Sequence, residues 1–205
     1  MSCVAMRSLV RGFDRFLRWA LGVYEFCDDP DCLLRVRLTA AAHAVALPDR
    51  DVPAGAPILE LHLWNERIPP LPPAGPDLAW AVKTQRMLMA SFRALAGQMR
   101  RDRRLAGVQA VGGATVLCFT GDDSGGVKLF ERLGFTVCPY HSPLGRFGEF
   151  WENFYTWAIM WAFNEATLRR RRLLRLRRSE IWMTTAEFLR RYGENRRRRQ
   201  SCPTN

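Results

Sequence analysis

The segment ILELHLWNE, residues 58–66, alternates leucines with other residue types at the two-residue period of a β-strand. Its leucines would point to one face and pack on a core, while Glu60, His62 and Trp64 would share the opposite face. Five prolines between residues 69 and 76 end the strand, because proline cannot donate a ladder hydrogen bond. The segment therefore predicts a half-buried strand that carries a polar face.

The sequence on both sides of this strand predicts an alternation of strands and helices. Upstream, CLLRVRLT places Arg35 and Arg37 between apolar residues, as a second half-buried strand would. Strands separated by helices predict an α/β (α+β) layered fold, a mixed sheet flanked by helices. The predicted elements are a helix over residues 8–26, strands over 32–39, 44–47 and 58–66, a helix over 77–100 with Asp77 as its N-cap, a strand over 115–120, a helix over 125–133 and a strand over 135–138.

The two ends of the chain differ in composition from this central part. Residues 147–163 are rich in phenylalanine and tryptophan, but their apolar run is far shorter than the ~20 residues of a membrane span. Residues 169–205 carry 13 arginines and three glutamates, so +10 of the net charge of +11 lies there. The predicted units are an N-terminal amphipathic helix (1–30), an α/β domain (31–146) and an aromatic, arginine-rich helical arm (147–205).

The cysteines and the composition of the N-terminal residues indicate the cellular compartment in which the protein is expected. The six cysteines form no CxxC motif and the chain has only three histidines, so the sequence predicts no metal site. Arginines interrupt the apolar residues near the N-terminus, which disfavours a cleavable signal peptide. We therefore expect reduced cysteines and a cytoplasmic location.

Two family resemblances rest on particular segments. Residues 119–135, FTGDDSGGVKLFERLGF, resemble the strand–helix–strand segment that closes the fold of the GNAT acyltransferases. Residues 33–38, residues 60–66 and the later LGF together resemble the YkoP-like family over residues 14–160. The first resemblance implies a GNAT-like sheet and an acyl thioester donor. The second implies a link to the cell envelope, because YkoP-like proteins are found near polysaccharide deacetylases and other envelope enzymes.

Several positions depart from the GNAT pattern. That family binds the coenzyme A pyrophosphate on backbone N–H groups of a Gln/Arg-x-x-Gly-x-Gly/Ala loop at a helix N-terminus. In the corresponding place this sequence has prolines, which lack the N–H group. Residues 109–114, QAVGGA, match the loop by letter but directly precede a strand, so a glycine-rich connection is the alternative. Phe130 and Gly126 stand where the family often has a general-acid tyrosine and an asparagine. These departures argue against ordinary acetyl-CoA chemistry.

Glu60 and His62 are the best candidates for a catalytic pair. Side chains two residues apart on a strand share a face at roughly 7 Å, so one water or substrate group can join them. Arg35 and Arg37 can hold an anionic substrate from the same face. The alternative is a polar sheet face satisfied by internal salt bridges. The other candidate substrate-binding residues are Trp64, Asn65, Glu66, Tyr140 and His141.

The arm has two candidate ligands. Aromatic side chains can sit at the headgroup level of a bilayer while arginines meet anionic lipid. Aromatics and arginines can also stack on single-stranded nucleic acid. Their arrangement in consecutive blocks favours the membrane surface, and a core-packed helix with a solvated tail is the third alternative. The candidate membrane- or anion-binding residues are Trp157, Trp161, Arg169, Arg170, Arg171, Arg172, Arg175, Arg177 and Arg178.

These observations predict a peripheral-membrane protein of envelope or lipid metabolism on the inner face of the plasma membrane. Its predicted activity is acyl transfer to an amine or hydroxyl of a lipid-linked substrate, with Glu60 or His62 as the base. A non-catalytic binding or scaffold module with the same fold is the first alternative, and a nucleic-acid-binding protein that uses the basic tail is the second. The proline-filled loop favours the scaffold, whereas the Glu60/His62 pair favours the enzyme.

Overall fold

The computed structural model describes residues 3–72, 74, 75, 77–116, 124–140, 142, 145–163 and 178–193. Its helices and strands follow one another in an alternating order, as the sequence predicts. In chain order they are α1 Cys3–Ala20, β1 Leu34–Ala40, β2 Pro57–Leu63, α2 Leu78–Arg101, β3 Ala110–Val116, α3 Ser124–Arg132, β4 Thr136–Pro139, α4 Gly145–Phe163, β5 Arg178–Thr184 and α5 Thr185–Tyr192.

The strands form one mixed sheet in the order β1-β2-β3-β5-β4. Among the described strands, β2 and β3 form the one parallel pair, and the other neighbours are antiparallel. A parallel pair needs a long crossover, which α2 provides. The predicted α/β class with a layered mixed sheet is confirmed.

One face of the sheet holds the main core. The alternating apolar residues of β1, β2, β3 and β5 point to this face and pack against α2 and α5. Phe92 of α2 lies at its centre, with its ring centroid 4.9–5.8 Å from those of Phe135, Phe188 and Tyr192. A smaller cluster on the other face joins the 41–56 loop to Trp182. The remainder of that second face is therefore the part that can hold polar groups.

The N-cap of α2 is predicted correctly, whereas the bounds of two other elements differ from the prediction. The Asp77 side chain accepts a hydrogen bond from the Trp80 backbone N–H at 2.7 Å. Helix α1 ends at Ala20 instead of residue 26, and the weak strand over 44–47 is only an isolated bridge between Val45 and Val52.

Strand β3 corrects the interpretation of residues 109–114 as a connection. Ala110–Val116 is the middle strand of the sheet, while residues 117–120 of the predicted strand lie outside the described residues. Two adjacent glycines make this strand hard to recognise in the sequence, and packing requires the first of them, Gly112. A Cβ atom on Gly112 would collide with the Ile181 carbonyl oxygen and the Trp182 ring of β5.

Within the predicted arm over 147–205, residues 178–193 pack into the α/β domain. Strand β5 lies between β3 and β4, and its loss would divide the sheet. Phe188 and Tyr192 of α5 belong to the main core. Residues 178–193 are therefore part of the same folded unit as residues 31–146, because their side chains complete its core.

Candidate active site on the polar sheet face

The pairing of β1 with β2 brings four of the predicted site residues together. Arg35 lies opposite His62, and Arg37 lies opposite Glu60. Directly opposed residues of an antiparallel pair point to the same face, so all four side chains share the face away from the main core. The alternation in the sequence predicted this arrangement.

Glu60 is the centre of a small charged cluster. Its Oε2 atom lies 3.5 Å from Arg37 NH1 and 3.7 Å from His62 Nε2. Burial alone would raise the pKa of Glu60, but the imidazole of His62 and the charge of Arg37 outweigh it, and the pKa lies below its usual value. Glu60 is therefore a carboxylate at neutral pH.

His62 lies next to this carboxylate. Its Nε2 atom is buried, faces Glu60 and makes no hydrogen bond within the described part of the chain. The imidazole is nevertheless 37% exposed, so the ring is open to solvent on the side away from Nε2. A histidine beside a carboxylate can act as a general base, because the negative charge stabilises the imidazolium that forms.

The pairing of β2 with β3 ends next to this pair. The ladder between β2 and β3 contains the pairs Ile58–Ala110, Leu59–Val111 and Glu60–Gly112, and the described strands continue beyond it without further pairs. Gly113, at the point of divergence, has a φ of +147°, which side-chain-bearing residues rarely adopt. Ala114, two residues after Gly112 and so on the same face, is exposed although β3 is the middle strand. Solvent therefore reaches the sheet surface beside Glu60 and His62.

A family model described as the YkoP domain matches residues 5–192. The chain belongs to the YkoP domain family. No curated protein and no solved structure matches it. The match extends from α1 to α5, so the YkoP unit includes the C-terminal strand and helix as well as the polar sheet face.

A second carboxylate–imidazole pair, which no motif in the sequence indicates, lies on this face of the YkoP sheet. Glu180 of β5 is 4% exposed; it accepts a hydrogen bond from the Trp182 indole at 2.7 Å and lies 3.2 Å from His43 Nε2. Since adjacent strands lie about 4.8 Å apart, β5 is roughly 10 Å from β2 across β3. Glu180 and His43 are far apart in the sequence, so no spacing indicated the pair.

Arg35 has a structural environment that differs from that of His62. Its guanidinium is 5% exposed, donates to Glu25 at 2.9 Å and to Glu66 at 3.1 Å, and lies 4.1 Å from the Trp64 ring centroid. Arg67 lies over the same ring at 3.3 Å. Arg35 thus binds both Glu66 and Trp64, as the salt-bridge alternative predicted for this face. Asn65 lies in the turn after β2.

Tyr140 is bound to helix α4. Its hydroxyl donates to Glu152 at 2.8 Å, and burial together with this carboxylate raises the pKa of Tyr140 to about 12. The phenol is therefore neutral, and its proton is already donated to Glu152 in a hydrogen bond. His141 lies outside the described residues.

The arm residues are only partly described. Trp157 and Trp161 are half-buried in α4, and Arg178 binds Glu152, Asn153 and Thr156 of that helix. Arg178 therefore links α4 to the sheet. The other arginines predicted to bind an anionic surface, Arg169, Arg170, Arg171, Arg172, Arg175 and Arg177, lie outside the described residues.

The described residues offer little other reactive chemistry. Burial raises the pKa of Cys32, and burial followed by the charge of Glu180 raises that of Cys138, so both thiols stay protonated. Among the described residues, no group of three or more His, Cys, Asp or Glu side chains could hold a metal ion. No helix in that part of the chain is both long and apolar enough to cross a bilayer.

Proposed function

We propose that this YkoP domain is a membrane-surface acyltransferase that moves an acyl group from a thioester to an amine or hydroxyl of a lipid-linked acceptor. The observation that carries the proposal is the Glu60–His62 pair beside the opening between β2 and β3. A long helix between two parallel, diverging strands also supports the GNAT-like arrangement that residues 119–135 imply. The link of the family to envelope enzymes supports a lipid-linked acceptor.

In the proposed reaction, His62 accepts a proton from the acceptor while the Glu60 carboxylate stabilises the resulting imidazolium. The acceptor nitrogen or oxygen attacks the thioester carbonyl carbon and forms the new C–N or C–O bond. The C–S bond breaks, and His62 returns the proton to the leaving thiolate. Backbone N–H groups where β2 and β3 diverge are the donors available to the oxyanion.

The test uses the full chain, an acyl thioester of N-acetylcysteamine as donor and vesicles of phosphatidylethanolamine as amine acceptor. We expect release of free thiol that depends on the vesicles. His62→Ala and Glu60→Gln should each lower its rate at least about 10²-fold, the usual contribution of a general base. His43→Ala removes an imidazole from the same face and should leave the rate unchanged. Equal rates for the wild type and His62→Ala would refute the proposal.

A non-catalytic binding module is the second candidate, and the start of α2 favours it. The Asp77 carboxylate already caps the helix N-terminus, where a phosphate would bind. Pro69, which lacks an N–H group, accepts the Trp80 indole N–H with its carbonyl at 3.0 Å. This alternative would be established if the domain turned over no thioester but bound a lipid saturably on the polar face.

A further inference from the structure

Helix α1 turns its charged side towards the rest of the fold. Asp14, in the middle of the helix, is 4% exposed. On the opposite side Leu9, Phe13, Phe16 and Trp19 are 55–77% exposed. An amphipathic helix on a soluble domain normally buries its apolar side, so this orientation is inverted.

Specific contacts hold α1 in this orientation. The Tyr155 hydroxyl of α4 donates to Asp14 Oδ1 at 2.7 Å, and Arg18 lies 2.9 Å from Asp14 Oδ2. Arg18 also pairs with Glu66 at 3.2 Å, and Arg11 donates to the Ala162 carbonyl at 3.0 Å. The polar groups on the inward side of α1 thus bind partners in α4 and in the turn after β2. The apolar side of α1 faces away from the fold.

Helix α4 adds a second row of exposed aromatic residues. Phe147, Phe150, Trp151 and Phe154 are 42–69% exposed, and Trp151 contacts the other three rings at centroid distances of 5.5–6.2 Å. Phe13 of α1 packs edge-on against Tyr155 of α4 at 6.3 Å, which joins the two helices beside these rows. Contiguous apolar surfaces of this kind mark sites of association.

The exposed apolar surface of α1 and α4 could be covered by a bilayer or by a second copy of the chain, and the charge of α1 favours the bilayer. Helix α1 contains four arginines and one acidic residue, so its own formal charge is +3. Two copies that met at this surface would bring like-charged helices together, whereas anionic lipid attracts them. Phenylalanine and tryptophan beside arginine are also the side chains that favour the headgroup region.

We propose that α1 and α4 form a docking surface for an anionic bilayer. Helix α1 lies in the plane of the membrane, with Phe13, Phe16 and Trp19 inserted roughly 5–10 Å into the headgroup boundary. The inference rests on the membrane-surface part of the proposed function and identifies the residues that provide it. The docked state holds the folded unit against the leaflet from which a lipid-linked acceptor would come.

The experiment measures co-sedimentation of the full chain with vesicles of phosphatidylcholine and phosphatidylglycerol. The triple variant Phe13→Ser, Phe16→Ser, Trp19→Ser should lower partitioning about tenfold or more, since each ring contributes buried apolar area. The double variant Leu78→Ser, Val82→Ser removes exposed apolar residues from α2 and should bind as the wild type does. Glu60→Gln should also bind normally, which separates a failure of docking from a failure of the proposed chemistry.

Two outcomes would overturn the proposal. The first is wild-type binding by a triple variant whose circular dichroism shows a folded protein. The second is a wild-type dimer in sedimentation velocity that the triple variant dissociates, because a second copy would then cover the surface. If the triple variant does not fold, Trp19→Ser alone tests the most exposed of these rings and should weaken binding measurably.

Discussion

Arg35 and His62 lie opposite each other on β1 and β2, yet their surroundings predict different responses to substitution. Arg35→Ala removes a buried guanidinium from two carboxylates and from the Trp64 ring, and should lower the free energy of unfolding by about 2–3 kcal/mol. His62→Ala breaks only a half-exposed 3.7 Å contact and should cost less than about 1 kcal/mol. Urea unfolding of both variants measures the difference. A loss at His62 as large as that at Arg35 would make the Glu60–His62 pair structural.

Gly112 provides a second prediction for a single residue. Gly112→Ala should lower the free energy of unfolding by about 1–3 kcal/mol, because its Cβ would press on the β5 backbone and the Trp182 ring. Gly107→Ala is the matched control, since the nearest atom to its Cβ would be Pro57 Cγ at 4.0 Å. Thermal unfolding of the two variants is the measurement. Equal midpoints would show that β5 can move away from β3 at little cost.

The sequence predicts part of the candidate site. The alternation of residues 58–66 predicts that Glu60 and His62 share a face, and the matching alternation of residues 32–39 places the two arginines beside them. It does not predict that Arg35 is satisfied by Glu25 and Glu66, because these partners lie in connections outside the strands. The pair of Glu180 and His43 is hidden because Glu180 lies on β5 and His43 lies in the distant loop between β1 and β2, so only the tertiary fold brings them together.

At the scale of elements, the attachment of α1 to α4 should depend on pH. Burial and the hydrogen bond to Asp14 raise the pKa of Tyr155, and burial raises that of Tyr192 to about 12. A raised pKa in the folded state contributes stability that is complete below the unfolded value of about 10 and is lost as the pH rises above it. The free energy of unfolding should therefore fall above pH ~10.

Tyr155→Phe removes the hydrogen bond between α4 and Asp14 of α1 and so measures its contribution to the free energy of unfolding. It should lower stability at neutral pH by about 1–3 kcal/mol, because buried Asp14 loses a donor, and should flatten the alkaline decline. Phe150→Leu, which changes an exposed ring on the same helix as Tyr155, is the control. An unfolding free energy that stays constant above pH 10 in the wild type would contradict the assignment.

The loop between β2 and α2 predicts weak recognition of coenzyme A. Asp77 occupies the helix N-terminus, and the prolines of the loop remove N–H donors. Titration calorimetry should therefore show no saturable binding in the micromolar range. A clear micromolar site would place the pyrophosphate elsewhere on the domain and show that the loop comparison is wrong.

Elements with a strong local pattern are predicted, and elements set by tertiary contacts are not. Strand β2 is predicted by its alternating leucines and by the prolines that follow it, and helix α2 is predicted by its N-cap residue Asp77. Strand β3 contains two adjacent glycines, which disfavour a strand in sequence terms, and the structure shows that Gly112 is needed because Trp182 packs against it. Strand β5 follows an arginine-rich segment that is typical of a solvated tail. The amphipathic pattern of α1 is also clear, but the pattern alone cannot show that its charged side faces inward.

At the scale of the whole molecule, the position of β5 determines where the chain tolerates truncation. Deletion of residues 178–205 removes the strand that joins β3 to β4 and two aromatic residues of the main core. We expect this variant to lose cooperative unfolding and to expose apolar surface. Deletion of residues 194–205 removes four arginines and keeps every described strand and helix, so it should unfold cooperatively with a midpoint close to that of the full chain. Circular dichroism melts of the two truncations provide the comparison. A cooperative transition in the variant that ends at residue 177 would mean that residues 1–177 fold without β5 and α5, and that these two elements are an appendage after all.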